Sequence, residues 1–421
     1  MKRNLYIVGL ILLIFFVISF LTNIIGPLVP DLINDFQISQ TLAGFLIFAF
    51  FIAYGVMSIP SGMLVEKYGE KKVMVAAFFI SFLGAFLFVL KPSYFVYTIS
   101  LFMIGSGMAM LQVAIHPLLR VAGGEAEFAF NSVLGQMFFG LASFLSPLVY
   151  SYFVLNLAKE GANNSFILDF MSGLIPADLP WISLYWVFAV VSLIMVAIIS
   201  LTRFPSVKLK EDEKVGAIAT HLELLKKPMV ILYFLGIFCY VGSEQGVANW
   251  ISKFLSTYHD VDPQTQGAKV VSLFWGLMTA GTLLGLVLLK FLDSRKVLIG
   301  FTATAMICLA AGLWGTKPIA LIAFPLIGFF ASVMWSVIVS LALNSVSTHH
   351  GSFSGILVTG IAGGAVVSFL VGWLGDLVGL KIGMLFLFLT LGYILSIGFW
   401  SKPLINNQTI GSKKQEPQVA N

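Results

Sequence analysis

Apolar runs of membrane-crossing length recur twelve times along this chain, and that recurrence leaves little freedom in fold class. A helix needs roughly 20 mostly apolar residues to cross bilayer hydrocarbon. The runs fall at 5–30, 42–63, 73–91, 95–119, 129–154, 181–202, 229–254, 269–290, 297–314, 318–343, 353–374 and 381–401. Each must be helical, because hydrocarbon offers no partner to an unpaired backbone group, and the alternating segments of a membrane β-barrel are absent from the sequence. Only 10% of residues are charged, against about 25% in a soluble domain. The chain therefore reads as an all-α integral membrane protein whose main non-covalent partner is the lipid bilayer. Lys2 and Arg3 before an apolar body imitate a secretion signal, but the apolar run continues to about Val29 with no small-residue cleavage site and reads as a retained first helix.

Lysine and arginine set the expected orientation. With both termini in the cytoplasm, the inside segments carry eighteen basic residues and the outside segments six, the bias expected of cytoplasmic loops. The net charge of +5 is then accounted for by loops facing anionic lipid, and no nucleic-acid partner is implied. Residues 203–228, rich in Lys and Glu, form the longest inside connection and divide the chain into 1–202, a six-helix half; 203–228, a linker; 229–401, a second six-helix half; and 402–421, a polar tail. The 155–180 segment is the long outer loop. Cys239 and Cys308 lie inside apolar runs, so neither a disulfide framework nor a metal site is expected. No Gly-x-x-x-x-Gly-Lys-Ser/Thr sequence is present, which argues against ATP-driven pumping. No cofactor is implied, and no nucleophile–base pair marks the chain as an enzyme. It is read as a monomer.

Between the second and third runs stands Gly62-Met-Leu-Val-Glu66-Lys67-Tyr-Gly69-Glu-Lys71-Lys72. Its spacing resembles the Gly-x-x-x-Asp-Arg-x-Gly-x-Arg/Lys-Arg/Lys loop of the major facilitator superfamily, with Glu66 for the Asp and Lys67 for the Arg. The resemblance implies that fold, with about twelve helices in two six-helix halves, and a gating role for Gly62, Glu66, Lys67, Gly69, Lys71 and Lys72. The spacing recurs at Gly372, Asp376 and Gly379, at the opposite ends of its helices. Such an echo fits the inverted repeats inside transporter halves and adds Asp376 to the gating set.

Gly105-x-Gly107-Met-Ala-Met-Leu111-Gln112-Val-Ala114-Ile-His116-Pro117, Tyr240-Val241-Gly242-Ser-Glu244 and the Gly355–Gly375 stretch are similar to the fucose–proton symporter family. The resemblance implies sugar uptake by cation symport through alternating access. The departures fall on the coupling groups. The family's first-span carboxylate, four residues before a closing Pro, is Gly26 before Pro30; its fourth-span Glu is Gln112; its Asn before Pro is His116. In the fifth span Asn131 matches, and Gln136 falls two positions late.

A carboxylate inside a membrane is a functional group by default, because burying its charge is costly. Glu244 is the one carboxylate well inside these spans; Asp31, Asp35 and Asp376 sit at ends. Gln245 and Asn249 share a helical face with Trp250 beside them. Amides grip hydroxyls and an indole stacks on a pyranose, so this wall suits a sugar. Gln112 and His116 share a face of the fourth span, and Asn23 lies in the first. The expected sugar ligands are Asn23, Gln112, His116, Gln136, Gln245, Asn249 and Trp250, with Glu244 and His116 as the coupling pair. Trp275 and Trp335 are further stacking candidates. The coupling cation is expected to be a proton, with sodium as the alternative. An uncoupled facilitator, an exporter of another small molecule and a non-transporting sugar receptor are the other readings.

Overall fold

A computed structural model describes residues 4–124, 128–157, 166–176, 178–205, 218–346 and 350–403. Most of the linker, part of the outer loop, the chain termini and the tail from 404 lie outside the described residues, together with the expectations that rest on them. The described residues contain twelve helices long and apolar enough to cross a membrane. They are α1 (Leu5–Asp35), α2 (Gln40–Tyr68), α3 (Glu70–Leu90), α4 (Tyr94–Gly123), α5 (Phe128–Leu157), α6 (Ser183–Leu201), α7 (Pro228–Ala248 continued by Ile251–His259), α8 (Ala268–Leu288), α9 (Ser294–Trp314), α10 (Lys317–Leu343), α11 (His350–Val378) and α12 (Leu380–Trp400). The first six and the last six make up the two halves of the chain. Below, the linker end is where α6 ends and α7 begins, and the far end is opposite.

The leading helix of each half is broken, and at an asparagine both times. In α1, Leu5–Thr22 ends on Asn23 and Ile25–Asp35 follows. In α7, Pro228–Ala248 ends on Asn249 and Ile251–His259 follows. The break in α1 places Pro27 in the first turn of the new segment, where a missing N–H costs little. The helix runs on through Pro30 to Asp35, so Asp31 lies inside α1 and not at its end, as the sequence spacing suggested.

The halves meet along two side seams and one central crossing. At the sides α2 runs along α11 and α5 along α8. Small residues permit the approach: a Cβ on Gly140 would lie 1.9 Å from Thr279 Oγ1 across the α5–α8 seam. Ser272 Oγ donates to the Phe144 carbonyl there at 2.6 Å. At the centre the two helix breaks touch, since a Cβ on Gly26 would lie 2.8 Å from the Ala248 carbonyl oxygen and 3.1 Å from Asn249 Cα.

Two tight turns repeat one device. Gly69 (φ 82°) ends α2 and Gly379 (φ 91°) ends α11. Each donates its N–H back into the helix, to Val65 at 2.8 Å and to Gly375 at 3.0 Å. Positive φ strains any side chain, so glycine closes both copies of the echoed motif and the next helix starts at once.

Candidate functional site

The first turn of α2 at the far end has backbone N–H groups with no partner in their own helix. Ser39 Oγ accepts from Leu42 N–H at 3.2 Å. The other two donors are taken by a residue of the opposite half. Asp376 accepts from Gln40 N–H at 3.0 Å, from Thr41 N–H at 2.7 Å and from the Thr41 hydroxyl at 2.6 Å. An anion at a helix N-terminus gains from both the free donors and the helix dipole.

A second carboxylate crosses the halves nearby in the reverse sense. Asp31, 6% exposed, accepts from the Tyr150 hydroxyl of α5 at 2.6 Å. It also accepts from Gln264 Nε2, in the turn Pro263–Gly267 that leads into α8, at 3.1 Å. Asp35 takes the Trp181 indole N–H within its own half at 2.7 Å.

In mid-bundle, polar groups collect at the two asparagine breaks. Asn23 Nδ2 donates to Ser143 Oγ at 2.9 Å and to Ser19 Oγ at 3.3 Å, while its Oδ1 is buried without a partner. On α7 a ladder runs along one face. The Tyr240 hydroxyl donates to Glu244 Oε2, Gln245 Nε2 to Glu244 Oε1 at 3.0 Å, and Asn249 Nδ2 to Gln245 Oε1 at 3.3 Å. No cation pairs with Glu244 among the described residues; its partners are a phenol and an amide. Trp335 of α10 lies 6.1 Å from the Tyr240 ring, half-buried. Trp275 of α8 is 4% exposed, and its indole N–H has no partner.

The other expected ligands divide by exposure. His116 is exposed although it sits inside α4, with its ring edge-on to Phe15 of α1 at 5.5 Å. Gln112, one turn further from the linker end, is half-buried. Gln136 is exposed and lies one turn from Gly140, the residue that meets Thr279 across the seam. Both exposed residues lie toward the linker end of their helices. Asn131 is buried against Gly123 instead. Trp250 is also turned away. Its ring is fully buried against Gly372 and its indole N–H goes to the Ser368 carbonyl at 3.0 Å. The break at Asn249 interrupts the 3.6-residue period and swings residue 250 from the wall of Gln245 and Asn249 toward α11.

At the linker end, Lys71 and Lys67 make contacts inside their own half. Lys71 Nζ donates to the Ser200 carbonyl in the last turn of α6 at 2.8 Å. Lys67 stands 5.2 Å over the Tyr68 ring. Gly62 is buried, and Glu66 and Lys72 are exposed. The second half repeats the pattern, with Arg295 Nη1 donating to the Ser401 carbonyl after α12 at 3.5 Å. Asp293 holds that arginine at 3.1 Å. Burial alone would raise the Asp293 carboxyl, but the Arg295 side-chain and backbone hydrogen bonds outweigh it and keep the group below the usual carboxylate range.

Sequence reasoning missed two of these groups. Tyr240 stood in the seventh-span motif without a role of its own, although its place four residues before Glu244 puts both on one helical face. Asp31 was set at a helix end because Pro30 was taken to close the span.

Comparison with known proteins agrees with this architecture. The Major Facilitator Superfamily profile matches residues 11–368. A glucose/galactose transporter of Brucella abortus is 31% identical over 402 residues, 92% of each chain. The L-fucose-proton symporter of Escherichia coli is 25% identical over 400 residues, covering 89% of this chain and 88% of that one. Among solved structures, the E. coli fucose:proton symporter superimposes with TM-score 0.68 at 23% identity, covering 94% and 98%. A bacterial homologue of the lysosomal transporter Spinster, inward-facing and occupied, gives 0.76 at 15% identity, covering 94% and 96%. The chain belongs to the Major Facilitator Superfamily and is a membrane transporter, not an enzyme.

Proposed function

We propose that this transporter takes up a hexose of the glucose/galactose class by proton symport across the inner membrane, with the linker end and both termini in the cytoplasm. The observation that carries the reading is the pair of helix breaks. Each half brings one asparagine to its break, the breaks meet at Gly26, and a ladder of carboxylate and amides leads away from Asn249. Broken helices near the midplane are where secondary transporters hold substrates and coupling ions. The names of the relatives, a glucose/galactose transporter and a fucose–proton symporter, support the substrate class and the coupling ion.

In this reading Asn23, Gln245 and Asn249 hold sugar hydroxyls from two sides, and Gln112, His116 and Gln136 extend the site toward the cytoplasm. Asn23 Oδ1 and Trp275 Nε1 have no hydrogen-bond partner among the described residues and are available to bond a ligand. Trp335, beside Tyr240, takes over the stacking role the sequence gave to Trp250. Glu244 carries the coupling charge and His116 the second titrating group. The far end is closed by Asp376 and Asp31 while His116 and Gln136 stay exposed, so this conformer is inward-open. The gate then consists of Asp376 outside and the 62–72 loop inside.

The test is uptake of a labelled hexose panel into proteoliposomes under a proton gradient, a sodium gradient, or neither. Accumulation under the proton gradient alone is expected, with at least a tenfold loss in Glu244→Gln, which removes the buried charge. Equilibration without accumulation would leave a facilitator. Intact accumulation in both Glu244→Gln and His116→Asn would remove the relay.

A further inference from the structure

The geometry points to Asp31 as a proton-binding group whose protonation is coupled to closure of the far end. Asp31 is buried at the junction of the halves and accepts one bond from each: Tyr150 from its own half, Gln264 from the other. Separating the halves at the far end removes Gln264 and lets water reach the carboxylate. Closing them strips that water away and replaces it with two neutral donors.

The surroundings do not compensate a negative charge. Asp35 on the same helix and Asp262 before α8 are the charged groups that act on Asp31, and both are acidic. Lys253 and His259 of the second α7 segment and Lys269 of α8 are the basic residues on the packed elements, and none forms an ion pair with Asp31 among the described residues. His259 has Lys381, Lys317 and Asp260 as its charged neighbours. The start of α2 and the Pro263–Gly267 turn carry no ionisable residue, and α5 presents Tyr150. A buried carboxylate with neutral donors and acidic neighbours is more costly as an anion than as an acid. The acid form keeps the same geometry, because a tyrosine hydroxyl both donates and accepts while the remaining carboxyl oxygen still receives the Gln264 amide.

Closure therefore takes up a proton from the far side, and opening releases it. By linkage, the far-closed fraction rises as pH falls. The group lies five residues beyond Gly26, where the resembling family carries its own first-span acid, and it acts at the gate and not among the sugar ligands. The inference rests on the symport reading above only for the cycle it regulates, since a proton taken up on closing and returned on reopening is not carried across; as a gate titration it stands apart from any substrate.

The experiment places spin labels at the exposed far-end positions Asn34→Cys and Thr257→Cys, one in each half, with Cys239→Ser and Cys308→Ser. Distances are read by pulsed EPR in nanodiscs, without sugar, across the carboxylate and histidine titration ranges. In the native sequence the short-distance population should grow as pH falls. Asp31→Asn mimics the acid, so the short distance should dominate at every pH. Tyr150→Phe removes a donor to the carboxylate but leaves the carboxylate in place, so the response should persist with a displaced midpoint. An Asp31→Asn variant that titrates like the native protein, or native distances that ignore pH, would overturn the proposal. If the labels respond as expected but no hexose moves, the gate titration stands and the sugar reading falls. If hexose accumulates while Asp31→Asn still titrates normally, the reverse holds.

Discussion

The two ends of this transporter carry the same short motif, yet the copies do different work. At the far end, Asp376 of the 372–379 copy reaches into the opposite half and caps α2. At the linker end, Lys71 of the 62–72 copy holds the last turn of α6 in its own half, and Arg295 does the same for the end of α12. A charge next to a helix terminus is favourable whichever helix provides the terminus. The difference shows that the motif does not define a gate by itself. It provides a charge at a helix end, and the conformer decides whether that charge finds a terminus across the divide or one at home.

The contrast can be broken most sharply where the two helix breaks meet. Gly26→Asp restores the acid of the resembling family, but its Cβ would meet the Ala248 carbonyl at 2.8 Å. Overpacking costs about 1–3 kcal/mol, and a buried charge adds to it. Far-end closure should be lost and uptake should fall by at least tenfold; restored coupling in that variant would show that the seam at Gly26 is not tight. Next in size is Asp376→Ala, which leaves two α2 donors to water. Loss of a cap is worth about 1 kcal/mol, so far-end cysteine accessibility should rise about fivefold, and no change would mean that Asp376 does not latch. The smallest effect is expected from Lys71→Ala. Removing a cation from a helix C-terminus costs about 0.3–1 kcal/mol, so thermal stability should drop slightly while far-end accessibility stays fixed. A changed accessibility would give the linker-end copy a gating role in this conformer.

The sequence made the spans legible because a membrane helix must satisfy its own backbone, so apolar length alone locates it. It also located the turn glycines, since positive φ at Gly69 and Gly379 singles out one residue type. Less readable was the direction in which side chains point after a break. Periodicity carried Trp250 onto the wall of Gln245 and Asn249, but α7 stops at Ala248 and the phase is reset. Asp31 was hidden for a related reason: Pro30 looked like a terminator, whereas a helix restarted at Ile25 accommodates it. The link between Asp31 and Gln264 joins residues 233 positions apart, and no local pattern reports a contact of that kind.

Trp250 also ties the ladder to the gate. Wedged against Gly372 and bonded to Ser368, it fastens the α7 break to the segment of α11 that carries Asp376. Those parts are joined as one strut. On the function proposed above, a sugar gripped by Asn249 would pull on the same piece that closes the far end, so the cargo would bolt its own way back, and its dwell time on the protein would become the clock for reopening.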